Sequence, residues 1–192
     1  NLRSIRNSGT PLPLMLLRIP TPSRAEETVK YANVSLASSI ESTSALSTAA
    51  VKLGLRHQVI LMIDVGDLRE GIWPDKAVEI ARATARLSNI ELIGLGTNLA
   101  CYGGVIPTAD KMQMLVDLRQ ECSAATGLPL PVLCGGNSAN LPLLASGEMP
   151  KEINLLRIGE AILLGRNVLD RSAWPGTRQD TFRLVAEIVE LE

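Results

Sequence analysis

The chain has 192 residues, with 19 Lys+Arg against 20 Asp+Glu and a pI near 6.0. Balanced charge argues against a binder of nucleic acid or other polyanions, and an aromatic content of 3% leaves little for base stacking. The length suits one domain with a substantial core, no apolar run can span a bilayer, and Cys101, Cys122, Cys134 and the single His57 lack metal-ligand spacing and fit a reducing cytoplasm.

Residues 1–6 read as the tail of a helix running into a loop at Ser8-Gly9-Thr10-Pro11. Apolar, β-branched runs then predict strands at 14–19, 34–37, 59–64, 91–96, 131–135 and 154–159. Helical spacing fills the gaps at 23–31, 40–53, 74–87, 108–126 and 139–146, with Ser39 and Thr108 as N-caps and Pro74 near a first turn. Near-continuous apolar strands alternating with helices mean an α/β fold with a parallel sheet covered by helices. The pattern alone leaves an open doubly wound sheet or a barrel. After the turn signal Pro175-Gly176, apolar residues alternate at Phe182, Leu184, Ala186 and Ile188, which predicts a half-exposed antiparallel strand over 182–191. The expected division is a partial barrel over 1–178 and the first strand of a C-terminal β domain over 179–192. Six strands are visible where a closed (β/α)8 barrel has eight, so the chain is expected to be an internal segment whose first strands lie before Asn1.

Two strand-to-helix junctions concentrate the chemistry. One is Pro131-Val132-Leu133-Cys134-Gly135-Gly136-Asn137-Ser138-Ala139-Asn140, the other Leu155-Leu156-Arg157-Ile158-Gly159-Glu160. Each is a short apolar strand that stops at glycine where a helix begins, leaving backbone N–H groups free to meet an anion. Taken singly, the first is an ordinary N-cap beside a Gly-Gly turn. Two in succession, closing a run of alternating strands and helices, match the place where (β/α)8 barrels hold a phosphate.

Four segments carry a resemblance to a known family: Asp64-Val65-Gly66-Asp67-Leu68-Arg69-Glu70-Gly71, Gly94-Leu95-Gly96-Thr97-Asn98-Leu99-Ala100-Cys101-Tyr102-Gly103-Gly104, Gly135-Gly136-Asn137-Ser138-Ala139-Asn140 and Leu156-Arg157-Ile158-Gly159-Glu160-Ala161. In order and spacing they resemble the alanine/ornithine branch of the pyridoxal-phosphate (PLP) barrel racemases. The resemblance implies a TIM-type barrel, PLP as cofactor, a small amino-acid substrate, no nucleic-acid or membrane partner, and a homodimer at full length. It implies a phosphate cradle at Gly136, Asn137, Ser138 and the backbone of Gly159 and Glu160. It sets Arg157 against the pyridine nitrogen of PLP, where a guanidinium that keeps its proton leaves that nitrogen unprotonated. Arg69 falls near the phenolic oxygen or the substrate carboxylate, and Asn98 near the phenolic oxygen, at a position where related racemases often carry His. From local pattern alone, Arg69 is a solvated loop residue, Asn98 a turn residue and Arg157 half of an ion pair. Tyr102 could serve as a second acid/base or simply pack its loop. Cys101 and Cys134 read as small packed residues, and His57 as a surface residue.

The family needs a lysine to anchor the cofactor and to act as one base. Lys30, Lys52, Lys76 and Lys111 fall in helical patterns and Lys151 follows Pro150, so none ends a strand. The anchoring lysine is therefore expected upstream of Asn1, and this segment alone should not racemise. The resemblance implies that the whole protein removes and returns an α-proton on an amino acid joined to the cofactor. A PLP-carrying homeostasis protein on the same barrel is the alternative, and an unrelated phosphate-binding barrel a third.

Overall fold

A computed structural model describes residues 1–101, 103–187 and 190. Six strands, β1 (Met15–Leu16), β2 (Val34–Ala37), β3 (His57–Met62), β4 (Ile90–Gly96), β5 (Val132–Asn137) and β6 (Leu155–Arg157), form one sheet in sequential order, every neighbouring pair parallel. Each crossover between β1 and β6 carries a helix: α2 (Ala25–Tyr31), α3 (Ile40–Leu53), α4 (Ala77–Ala85), α5 (Ala109–Thr126) and α6 (Leu141–Ala145). A short α1 (Leu2–Asn7) precedes β1, and α7 (Glu160–Leu164) follows β6. Strict sequential order never reverses, so the doubly wound alternative falls away and the sheet has barrel topology.

The two faces of the sheet bury different sets. Val59, Leu61 and Ile63 join the larger cluster under the helices, with Leu46, Ala50, Leu95, Leu115 and Leu133. Val34, Leu36, Ile60, Met62 and Ile93 form a second cluster, to which Met15, Val132 and Leu155 add contacts from the remaining strands. Leu36, Ile60 and Met62 are completely buried although this cluster contains no helical residue, so the sheet must curl upon itself. The result is a half-barrel. Each such fully buried side chain contributes about 1.5–3 kcal/mol relative to exposure.

Local signals explain the helices that frame the site. Ser39 Oγ accepts the Ser42 N–H at 3.2 Å to start α3, and Thr108 Oγ1 accepts the Lys111 N–H at 3.3 Å to start α5. Pro74 and Pro142 sit in first turns, where a missing N–H costs nothing.

Two expectations change. His57 is not a surface residue: β3 begins two residues earlier than predicted, which extends the helix-facing row of Val59 and Leu61 back to His57. The ring is fully buried with Nε2 2.6 Å from Ser35 Oγ, and burial pushes its pKa down from 6.5 to about 4. The antiparallel strand expected at 182–191 is not formed over 182–187, where Leu184 and Val185 are exposed; Ile188, Val189 and Leu191 lie outside the described residues. A lone extended segment has no ladder to satisfy its backbone, so alternation alone does not make a strand.

Candidate active site

Because all six strands run parallel, the segments leaving β3, β4, β5 and β6 emerge at one end of the sheet. Arg157, the last residue of β6, lies in register with Asn137 at the end of β5. Its Nη2 donates to the Thr97 carbonyl at 2.9 Å and to Asn98 Oδ1 at 3.3 Å. Asn137 Nδ2 donates to the same Asn98 Oδ1 at 3.1 Å and to the Leu99 carbonyl at 2.7 Å, while its own Oδ1 accepts the Ala139 N–H at 2.8 Å. Arg157 is therefore held by a carbonyl and an amide rather than by the carboxylate of an ion pair. Among the described residues its Nε is buried without a hydrogen-bond partner. An unsatisfied buried donor costs about 1–3 kcal/mol, so an acceptor at this point would stabilise the arrangement.

Ser138 binds the two junctions together. Its side chain is buried, and Oγ accepts the Gly159 N–H at 3.2 Å and the Ala161 N–H at 3.3 Å. Two backbone donors and a hydroxyl thus converge. Gly136 stands just before them at φ +120, a conformation that needs glycine, and a Cβ there would lie 3.0 Å from Asn140 Nδ2. Gly159 differs. Its φ is −139 and an added Cβ would meet nothing within 4 Å. Packing does not demand glycine there; what it provides is open room beside its N–H. The Ser138 O–H and that room fit a phosphate, which would share the Gly159 and Ala161 N–H groups with Ser138 Oγ, and the unpaired Arg157 Nε fits an acceptor on the same molecule. Glu160 turns its carboxylate outward into an ion pair with Arg171, so its side chain stands apart from Ser138.

The loop after β3 is built on Asp64, whose Oδ1 accepts the N–H groups of Gly66 at 2.8 Å and Leu68 at 3.2 Å. Arg69, in this loop, pairs with Glu70 at 2.9 Å and is partly exposed. Among the described residues no hydrogen bond joins it to the Arg157–Asn98 cluster. Lys111 Nζ donates to the Val65 carbonyl at 2.8 Å and so ties α5 to this loop. Lys30, Lys52 and Lys111 sit on helices, Lys76 on a 3-10 turn and Lys151 in a turn; none ends a strand. Tyr102 lies outside the described residues. Cys134 is buried as expected and so is Cys122, whose thiol burial pushes up to about 11, which suits packed rather than nucleophilic residues, whereas Cys101, expected to pack, is exposed on its loop. No group of three His, Cys, Asp or Glu among the described residues is placed to hold a metal, and no helix of the described residues is long and apolar enough to cross a membrane.

Sequence reasoning passed over two members of the network. The Thr97 carbonyl, which accepts Arg157, is a backbone group that no side-chain pattern reveals. Asp67 lay within a quoted motif but reads as an ordinary loop carboxylate. Its burial to 1% exposure is a tertiary fact.

The alanine racemase N-terminal domain family matches residues 1–167 of the chain. An ornithine racemase of Acetoanaerobium sticklandii is 41% identical over 193 aligned residues, covering 100% of this chain and 54% of its own length. A lysine racemase of Thermotoga maritima is 37% identical, covering 100% of this chain and 53% of its own. The chain thus spans about half the length of these curated relatives. An alanine racemase from Clostridium difficile superimposes with a TM-score of 0.65 at 22% identity, over 82% of this chain and 41% of that one. PipY from Synechococcus elongatus, solved with PLP bound, gives a TM-score of 0.67 at 17% identity, over 82% of this chain and 73% of that one, a likeness of fold. With the family match extending over nearly all of the barrel elements, the chain belongs to the alanine racemase N-terminal domain family.

Proposed function

We propose that the protein is a PLP-dependent amino-acid racemase of the ornithine- and lysine-acting kind, and that the strand-end face of this half-barrel is its cofactor site. The observation that carries the reading is the meeting of Ser138, Gly159 and Arg157 at that face in a chain 41% identical to an ornithine racemase. The likeness to PipY is one of fold alone, whereas the racemase likeness covers the whole chain, so racemisation is preferred over cofactor carriage.

Ser138 Oγ and the N–H groups of Gly159 and Ala161 would hold the phosphate, and Gly136 allows the backbone to turn at that place. Arg157 would meet the ring nitrogen, with Asn98 and Arg69 nearer the phenolic oxygen or the substrate carboxylate. PLP, when bound, supplies an electron sink that acidifies the substrate α-C–H. Arg157 limits that sink, since a donor that keeps its proton leaves the ring nitrogen unprotonated, and this favours removal and return of one proton over transamination. Buried Asn98, Thr97 and Ser138 keep bulk water from the groups that hold Arg157 and the cradle. The lysine that anchors the cofactor, and the groups that complete proton transfer, are proposed to come from sequence outside residues 1–192; the placement of all five lysines away from strand ends supports this. A homodimer in the cytoplasm is the accompanying proposal.

The test is to reconstitute the whole protein with PLP and follow the enantiomers of ornithine, lysine and alanine by chiral chromatography. Interconversion of ornithine or lysine supports the reading. A protein that binds PLP yet interconverts none of the three would return the cofactor-carrier alternative to first place.

A further inference from the structure

Asp67 is a buried carboxylate in the loop after β3, and three contacts tie it to the loop after β4. Its Oδ1 accepts the Cys101 N–H at 3.1 Å, its Oδ2 accepts Asn98 Nδ2 at 3.4 Å, and its carbonyl accepts the Gly103 N–H at 2.8 Å. The approach at Gly103 is close: a Cβ there would fall 2.6 Å from the Asp67 carbonyl oxygen. Two loops from neighbouring strands therefore share one anchor.

The chemistry of these partners fixes the middle residue. An ionised carboxylate only accepts hydrogen bonds, and a guanidinium only donates them. Asn98 stands between the two, with Nδ2 toward Asp67 and Oδ1 3.3 Å from Arg157 Nη2. Asparagine has one donating end and one accepting end, so a single orientation satisfies both neighbours. The reverse turns N–H toward N–H at Arg157 and oxygen toward oxygen at Asp67. Asn137 Nδ2, a further donor on Asn98 Oδ1 at 3.1 Å, favours the same choice.

We infer that Asp67 is a positioning residue: it sets the Asn98 amide so that Arg157 is gripped by two acceptors, Asn98 Oδ1 and the Thr97 carbonyl, and its remaining N–H groups are left for the cofactor. The statement about the cofactor rests on the PLP reading above. The statement about Asn98 and Arg157 does not. Asp67 needs no contact with the cofactor for this role.

The experiment compares Asp67→Asn, Asp67→Leu and the exchange Asp67→Asn/Asn98→Asp with the unmodified protein. Asp67→Leu removes both acceptor oxygens, and Asp67→Asn leaves one oxygen for the two donors Asn98 Nδ2 and Cys101 N–H while turning an N–H group toward one of them. In the exchange, the new amide at 67 donates to the new carboxylate at 98, which again accepts Arg157 and Asn137. Two readouts are taken: the guanidinium N–H resonances of Arg157 by NMR without cofactor, and the dissociation constant for PLP. Both single variants should shift and broaden the Arg157 resonances and weaken PLP binding about tenfold, as expected for one lost charge-linked contact. The exchange should restore both. If Asp67→Leu fails to fold, Asp67→Asn and the exchange still decide the matter, because a residue that merely staples loops has no reason to be rescued by a change at 98. Unchanged Arg157 resonances in folded Asp67→Asn, or no rescue by the exchange, would overturn the inference. An unmodified protein that binds no PLP would instead sink the cofactor reading, with the NMR arm still judging Asp67.

Discussion

The two ends of this sheet handle buried polarity in opposite ways. At the starting end of β2 and β3, Ser35 and His57 pair across 2.6 Å, and among the described residues His57 Nδ1 is left buried without a partner. At the finishing end, Asp67, Asn98, Asn137, Thr97 and Arg157 form a chain of hydrogen bonds that leads to an open place beside Gly159. The first is an isolated polar pair inside a core, and it acts on stability. The second hands its orientation from residue to residue toward a ligand, and it acts on binding. Barrels commonly divide labour in this way, with chemistry where strands end.

The largest expected effect lies at the finishing end. Arg157→Ala should lower racemisation in the whole protein by about 100-fold, in the range seen when one positioned donor is removed from a site. Its stability should fall by about 1–3 kcal/mol, because the buried Thr97 carbonyl and Asn98 Oδ1 lose a donor. Racemisation within a few-fold of the unmodified protein would place Arg157 away from the chemistry. Arg157→Glu tests the tuning separately: a carboxylate beside the ring nitrogen would favour its protonation, so the ratio of transamination to racemisation should rise. An unchanged ratio in a folded variant would contradict the assignment.

Next in size is the inner cluster of the half-barrel. Leu36→Ala should cost about 2–5 kcal/mol in denaturant unfolding, since Leu36 is fully buried on the side without helices. A loss under 1 kcal/mol would mean that face is not packed as described.

The starting end gives a pH signature. His57 has a folded pKa of about 4 against 6.5 unfolded. Above pH 6.5 both states are neutral at this residue and it adds no pH dependence. Between 6.5 and 4 the unfolded state takes up the proton first, so stability falls as pH falls, by about 3 kcal/mol across the window at 1.36 kcal/mol per unit. His57→Gln should remove that slope from urea titrations at pH 7 and pH 4.5 while leaving PLP affinity unchanged. A variant that keeps the slope would show that the acid sensitivity arises elsewhere.

These contrasts also explain what could be read from the chain. Helix α3 and strand β2 fall where spacing and the Ser39 cap predicted them, because cap, period and core face agree there. The two glycine-containing junctions were legible only to within two residues: β5 runs past the expected end at Gly135 to Asn137, and β6 stops at Arg157 rather than Gly159. His57 was misjudged and Asp67 passed over because polarity suggests exposure, and only the packing of β3 and the neighbouring loops buries them. Over residues 182–187 no strand is formed, since alternation at Phe182 and Leu184 makes a strand only where another strand lies alongside.

The most direct test of the cradle is the smallest change to the fold. Gly159→Ala adds one methyl group to open space, so it disturbs no packed contact. The decisive measurement is PLP titration of this variant beside the unmodified protein, followed by phosphorus NMR of the bound phosphate. The account predicts a bound phosphate signal in the unmodified protein and clearly weaker binding in the folded variant. Equal affinity and an identical phosphate signal in the two proteins would contradict the placement of the phosphate at Ser138 and Gly159.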